Sequence, residues 1–197
     1  NMANKLRFNK DNLQMIDLGS SSISDKGGKF ELAELASGFN RDTMMSPVHG
    51  AIIASIIAND GIFRKPTIVN SVKDNKQNRI VWKPPYRIER SFSKETADSM
   101  QELMETTVAR GTARTAFRRP RSRLISKLKI GGKTGTITGG LPYGKRDWFV
   151  SYAMPKDAKN KGISVCVMIV NVKKWYIKST VLARKVIEHY YKNIEIL

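Results

Sequence analysis

The first strong hydrophobic pattern in this chain lies between Ser46-Pro47 and Asn59-Asp60-Gly61. Serine can cap the free N–H groups of a first helical turn, proline suits the first helical position, and glycine readily adopts a left-handed terminating conformation. Apolar residues occur on nearly every side of this segment, which predicts a helix inside a core. They are Val48, Ala51, Ile52, Ile53, Ile56 and Ile57.

Two further helices are predicted by apolar residues that recur at helical spacing. The first covers residues 93–111, with Glu95 in its first turn, where a negative charge interacts favourably with the helix dipole. The second lies near the C-terminus and is amphipathic. Its apolar stripe, which we expect to cover one face of a sheet, consists of Leu182, Val186 and Tyr190, with Ala183 and Ile187 beside it.

Elsewhere the pattern changes to short apolar runs that are typical of strands. Three runs, over residues 128–137, 148–154 and 163–172, are separated by polar segments containing glycine and proline. Short polar connections favour antiparallel hairpins. An earlier hairpin is predicted to pair residues 68–69 with 80–82 across a polar turn. The sequence therefore predicts an α+β fold, an antiparallel β-sheet with helices packed on its faces.

The charge of the chain is unusual, because 35 Lys and Arg residues oppose 17 Asp and Glu residues, a formal net charge of +18. Such a charge favours anionic surroundings: nucleic acid, lipid headgroups or acidic cell-wall polymers. A nucleic-acid-binding protein would be expected to show a helix-turn-helix, RNP or zinc motif, and the sequence shows none. The basic run at residues 110–129, which lacks acidic residues, is predicted to be an exposed loop.

The cysteine and histidine content argues against metal chemistry. The single cysteine, Cys166, lies in an apolar run too short to cross a bilayer, so a buried and inert thiol is expected. His49 and His189 lack the spacing of a metal site. No metal and no cofactor are expected. The sequence opens directly into helix-like residues, and no signal segment is expected among them.

The chemically informative segment is Gly-Gly-Lys-Thr-Gly-Thr at residues 131–136. It is not a phosphate-binding P-loop, because a lysine occupies the position of the first P-loop glycine and a strand follows instead of a helix. A strand at the border of a cleft can bind an extended peptide by strand addition. Gly135 would allow close approach, Lys133 supplies a positive charge, and Thr134 and Thr136 supply hydroxyls suited to a terminal carboxylate.

These motifs, in their order, resemble the C-terminal half of a penicillin-binding-protein transpeptidase domain. Residues 46–61 resemble the buried helix of the family, and residues 95–113 resemble the helix that ends in a Gly-Thr-Ala motif. Residues 147–150 resemble the Trp-Phe-Val strand paired with the KTG strand, and residues 2–8 resemble the helix that follows the SxN motif. The resemblance extends over roughly residues 1–192.

The resemblance implies a partial β-lactamase-like fold, in which residues 1–197 form the C-terminal portion of one domain and the SxxK and SxN motifs lie upstream. It also implies a reaction: a serine attacks the penultimate D-Ala carbonyl of a stem peptide, and a second peptide's amine resolves the acyl-enzyme. By analogy, Lys133 contacts the SxN serine and Thr134 and Thr136 hold the carboxylate. The N–H of Thr136 forms half of the oxyanion hole.

The chain departs from the family pattern because it contains no SxN triplet. Its one SxxK match, which begins at Ser91, lies at a predicted helix start, where Ser93 is expected to cap the helix and Lys94 to be a solvated charge. We therefore expect that this chain alone does not acylate.

The expected partners are peptidoglycan stem peptides ending in D-Ala-D-Ala, β-lactams, the N-terminal part of the same domain and cell-wall synthesis proteins, with no nucleic acid among them. The expected location is the periplasmic face of the bacterial inner membrane. Two alternatives remain open: a serine β-lactamase, which shares the KTG strand, and a non-catalytic wall-binding module. The helix with the Gly-Thr-Ala motif favours the synthase.

Overall fold

A computed structural model describes residues 2–10, 20–24, 27–40, 42–85, 88–118, 120–157 and 162–193. The helices within these residues are α1 (Met2–Lys5), α2 (Lys29–Ser37), α3 (Pro47–Ala58), α4 (Lys94–Ala109), α5 (Arg114–Arg118), α6 (Arg123–Ser126) and α7 (Ser179–Asn193). The strands are β1 (Ile62–Arg64), β2 (Val72–Asp74), β3 (Arg79–Trp82), β4 (Ile88–Arg90), β5 (Leu128–Gly139), β6 (Gly144–Pro155) and β7 (Ile163–Asn171).

The last three strands form an antiparallel sheet in the order β5-β6-β7. Pairing of β5 with β6 runs from Leu128 opposite Pro155 to Gly139 opposite Gly144. Each of the three predicted strands is present, and β5 and β6 are longer than the sequence indicated because polar residues continue both strands to a short turn. Only β6 is paired on both sides among the described strands, so β5 forms an edge.

Helices cover both faces of this sheet, which confirms the predicted α+β class. Side chains on β6 alternate between the two faces, as expected for a strand. One face packs against α7 and α5 through a cluster that includes Phe149, Ala153 and Ile187. The opposite face packs against α3 and α4 through a second cluster, which contains Ala54, Ile57, Met104, Tyr152 and Met154.

Helix α3 forms as predicted and lies close against the sheet. The Ser46 hydroxyl accepts a hydrogen bond from the His49 N–H at 3.2 Å, which confirms the predicted cap. The helix buries residues on several sides, and a Cβ atom built on Gly50 would lie 2.7 Å from the Cys166 sulfur on β7. Cys166 is half-buried, and burial raises the pKa of its thiol to about 12, which agrees with an inert thiol.

Helix α7 is rotated relative to the sequence expectation. Its buried stripe contains Ala183, Ile187 and Tyr191, whereas Leu182 and Val186 are 36% and 40% exposed. Polar contacts favour this rotation. The Tyr191 hydroxyl donates to the Ala153 carbonyl at 2.9 Å, and the buried Arg184 guanidinium donates to the carbonyls of Ala116 and Pro120 at 2.7 Å each.

The basic run at residues 110–129 was expected to be an exposed loop, and the structure contradicts this. It contains α5 and α6, and Ala116 and Phe117 are buried in the α7 face of the sheet. This apolar pair anchors the segment while its described arginines remain exposed. The early hairpin is also corrected: its first strand is β2 at residues 72–74, not residues 68–69, and it pairs with β3.

His49, on α3, is buried against the residues that follow α1, with only 1% of its surface exposed. Its Nε2 atom lies 2.7 Å from the Leu6 carbonyl oxygen, which requires Nε2 to carry a proton and donate. The Phe8 ring packs against it with centroids 4.6 Å apart. Because this apolar burial penalises the charged form, the pKa of His49 is lowered from its ordinary value.

The lowered pKa of His49 predicts acid sensitivity. Below about pH 6.5 an unfolded chain protonates this histidine more readily than the folded one, so stability is lost as the pH falls through that range. We expect the thermal midpoint to fall more between pH 7 and pH 5 for the natural protein than for His49→Gln, which keeps an N–H donor but does not titrate. Parallel pH dependence of the two proteins, measured by circular dichroism melts, would contradict this assignment.

Candidate active site

The predicted site residues lie consecutively in β5, on the outer strand of the described sheet. Lys133 pairs with Val150, and Thr136 pairs with Asp147. Lys133, Gly135 and Thr136 are exposed and Thr134 is half-buried. No other strand among the described residues pairs with the second edge of β5. The backbone N–H and C=O groups of that edge can therefore pair with an extended peptide.

Alternation along β5 divides the four side-chain positions between the two faces of the sheet. Lys133 and Gly135 share the face that carries α3, and Thr134 and Thr136 share the face that carries α7. Positions two apart on a strand are about 7 Å apart, so the two hydroxyl groups are neighbours. The Lys133 ammonium donates to the Thr134 carbonyl at 2.6 Å, which holds its charge beside the strand.

The glycines of the motif have two different roles. A Cβ atom on Gly131 would lie 2.5 Å from the Tyr152 ring, and one on Gly132 would lie 2.3 Å from the Phe149 ring. Both glycines are therefore required by packing. A Cβ on Gly135 would meet only the Trp148 Cβ atom, at an ordinary 3.6 Å. Packing within the described fold therefore does not require glycine at position 135.

The Gly-Thr-Ala motif that follows α4 contacts the substrate strand directly. The Thr112 hydroxyl lies 2.7 Å from the Thr134 hydroxyl. Gly111 permits the tight reversal after the helix, since a Cβ there would be 2.8 Å from the Thr107 Cα atom. Ala113 is fully buried and anchors the segment. Sequence reasoning identified the motif but missed the contact, because 22 residues separate the two threonines.

Asp147 and Trp148 lie on β6, the strand paired with β5, directly opposite Thr136 and Gly135. The buried Asp147 carboxylate accepts a hydrogen bond from the Ser179 N–H, the first residue of α7, at 2.7 Å. Phe149 is completely buried and its ring lies 5.7 Å from that of Phe117, so it packs in the core of the sheet. The site strand is thus attached to α7 through β6.

The residues of the SxxK match at Ser91 have structural surroundings. Ser91 is 2% exposed, and the Ser93 hydroxyl caps α4 by accepting from the Thr96 N–H at 3.3 Å. The Lys94 ammonium contacts both carboxylate oxygens of Asp98, which raises its pKa and opposes service as a base. The expected roles of Ser93 as a helix cap and Lys94 as a surface charge are confirmed.

The described residues contain neither a metal-binding cluster nor a membrane-spanning helix. No group of three or more His, Cys, Asp or Glu side chains is placed to hold a metal ion within those residues. Among the helices of the same part of the chain, none is long and apolar enough to span a bilayer.

Comparison with known proteins gives matches at the level of family and of sequence. A family model described as the penicillin binding protein transpeptidase domain matches residues 1–188. Peptidoglycan D,D-transpeptidase PbpA of Mycolicibacterium smegmatis is 27% identical over 139 residues, covering 66% of this chain and 25% of that protein. The chain therefore matches a quarter of the length of this curated relative.

Solved structures agree on the fold. Penicillin-binding protein A of M. tuberculosis, in an imipenem acyl-enzyme complex, has a TM-score of 0.75 and 22% identity, covering 96% of this chain and 41% of that one. The D,D-transpeptidase domain of a peptidoglycan glycosyltransferase from Eggerthella lenta has a TM-score of 0.71 and 20% identity, covering 100% and 48%. Because the family model matches from residue 1 to residue 188, the chain belongs to the penicillin-binding protein transpeptidase domain family.

Proposed function

We propose that this chain is the substrate-binding portion of a peptidoglycan D,D-transpeptidase and that its edge strand β5 binds the stem peptide. The observation that carries the proposal is the exposed edge at residues 133–136, where Gly135 has no packing reason to be glycine. The curated relative is named as a peptidoglycan D,D-transpeptidase, which supports the same class of reaction.

The chemistry of this edge suits the end of a peptide. A D-Ala-D-Ala terminus is an extended backbone that ends in a carboxylate, so it needs both strand-like partners and donors for the anion. The edge of β5 offers the former, and the hydroxyls of Thr134 and Thr136 offer the latter. The Thr112 hydroxyl lies 2.7 Å from that of Thr134 and can donate to it, which leaves the Thr134 proton for the carboxylate.

In the acylation step the chain would stabilise charge and not supply the nucleophile. A serine from the N-terminal part of the domain attacks the penultimate carbonyl, the peptide bond breaks, and D-Ala leaves with a proton. The negative charge that develops on the carbonyl oxygen is stabilised by backbone N–H groups, one of them from Thr136. Lys133 uses one N–H for the Thr134 carbonyl, so two donors remain for the SxN serine.

The remaining expectations belong to the same proposal. The N-terminal part of the domain carries SxxK and SxN, β-lactams occupy the stem-peptide position, and the enzyme works on the extracytoplasmic face of the inner membrane. One structural neighbour is an imipenem acyl-enzyme, which supports β-lactam binding by this fold. A β-lactamase-like enzyme would hydrolyse its acyl-enzyme rapidly, and a non-catalytic wall-binding module would form none.

Fluorescent penicillin should label the full-length parent protein and not this chain alone. In the parent, Thr136→Val removes a hydroxyl that pairs with a carboxylate and should slow acylation about 10- to 100-fold. Thr138→Val is the matched control, because Thr138 is an exposed threonine on the same strand beyond the motif. Equal loss in both variants would contradict the role of Thr136, and labelling of the isolated chain at Ser91 would overturn the motif assignment.

The two glycine roles predict opposite effects of the same substitution. Gly135→Ala should leave the thermal midpoint nearly unchanged but slow penicillin acylation at least tenfold, because the new methyl group occupies the ligand's space. Gly132→Ala should instead destabilise the fold by about 1–3 kcal/mol, because its methyl group meets the Phe149 ring. Thermal melts and labelling rates of both variants test this pair, and a destabilised Gly135→Ala with normal acylation of its folded fraction would contradict it.

A further inference from the structure

A second surface lies at the end of the sheet where β5 ends and β6 begins. The turn between β5 and β6 follows the Gly139–Gly144 pair, and Lys145 pairs with Asn171 at the end of β7. The register therefore places the turn at residues 140–143 beside the connection at residues 172–178. We call these two segments, together with Lys145, the aromatic-basic end.

Large apolar side chains protrude from this end into solvent. Leu141 is 96% exposed, Tyr176 is 85% exposed and Tyr143 is 72% exposed. Trp175, next to Tyr176 in sequence, is 42% exposed. The ammonium nitrogens of Lys145 and Lys178 lie 4.9 and 5.8 Å from the centroid of its ring. Exposed apolar side chains concentrated on two adjacent segments mark a binding surface more often than a solvated one.

The charge at this end has one sign. Four exposed lysines lie on it, and residues 137–146 and 171–178 contain no acidic residue. The following acid, Asp147, is buried and bonded to the Ser179 N–H, so it does not offset them. Arg146 has a structural role, because its guanidinium donates hydrogen bonds to the Leu141 and Pro142 carbonyls and stabilises the turn. The lysines are Lys145, Lys173, Lys174 and Lys178.

The aromatic-basic end is continuous with the proposed substrate strand. Gly139 lies three positions beyond Thr136, a distance of about 10 Å along a strand. A ligand that extends beyond a stem peptide bound at β5 would therefore reach it. Its chemistry must combine negative charge, for the lysines, with apolar faces, for the tyrosine, tryptophan and leucine side chains.

We propose that the aromatic-basic end binds the peptidoglycan strand to which the reacting stem peptide belongs, so the inference rests on the function proposed above. Sugar rings present apolar faces that pack on aromatic side chains, and neighbouring stem peptides carry free carboxylates that pair with the lysines. The surface adds affinity for the polymer beyond that for an isolated peptide, because a second contact on the same strand binds at high effective concentration.

A lipid bilayer fits this surface less well. Inserting the protruding turn would bring headgroups to within about 10 Å of Thr136 and obstruct the edge that receives the peptide. The Trp175 ring is accompanied by two ammonium groups, whose burial in hydrocarbon would be costly.

The test measures co-sedimentation of the full-length parent protein with peptidoglycan sacculi freed of protein and attached anionic polymers. The double variant Lys145→Gln/Lys178→Gln should bind roughly tenfold more weakly, as should Leu141→Ser/Tyr176→Ser. The matched control, Arg121→Gln/Arg123→Gln, removes the same charge from exposed positions outside this end and should bind as the natural protein does. If the control variant binds sacculi as weakly as the double variants do, binding depends on net charge alone and the proposal is overturned.

Two parallel measurements separate the possible failures. Vesicles containing anionic phospholipid should bind the protein more weakly than sacculi do, and tighter binding that depends on the same residues would overturn the proposal in favour of a membrane contact. Penicillin labelling of the same preparations tests β5 independently. Absence of labelling in the natural protein would refute the proposed function, whereas normal labelling with unchanged sacculus binding in both double variants would refute only this inference.

Discussion

The pairing of β5 with β6 is the constraint on which the rest of the site depends. Rings of Tyr152 and Phe149 occupy the space that side chains at Gly131 and Gly132 would fill, one on each face. A shift of one residue would exchange the faces and place Lys133 or Ile130 under an aromatic ring. The register therefore fixes which residues of the motif project toward each layer of helices. The placement of the side chains at residues 133–136 is thus a consequence of packing at residues 131 and 132.

Helices pack on both faces of this strand pair, and two polar contacts near the site lie on the face that carries α7. Asp147, opposite Thr136 on β6, accepts a hydrogen bond from the first N–H of α7. The chain that leaves α4 turns at Gly111 and brings the Thr112 hydroxyl to Thr134. A strand edge held in this way is organised before a ligand arrives, which reduces the entropy lost on binding.

Local signals in the sequence predicted the strands, the capped helices and the chemical motif, because caps, turns and alternation are encoded within a few residues. The rotation of α7 was not predictable in the same way. Leu182 and Val186 are more apolar than Ala183, yet the buried stripe follows contacts of Tyr191 and Arg184 with distant carbonyl groups. The Thr112–Thr134 contact and the rings over the glycines also join residues far apart in sequence. Such pairings depend on tertiary packing, which periodicity does not encode.

The structure also changes the interpretation of the net charge of +18, because it shows what individual charged side chains contact. Arg184 and Arg146 bind backbone carbonyls, and Lys129 pairs with Glu105 at 3.0 Å, so these cations serve the fold. The arginines around α5 and α6 form an exposed group without exposed aromatic residues among them. At the aromatic-basic end, by contrast, exposed lysines lie with large exposed apolar side chains where β5 ends. Charge alone would favour any polyanion, whereas the ligand proposed for this end combines carboxylates with apolar faces, because each kind of contact by itself is weak at an exposed surface.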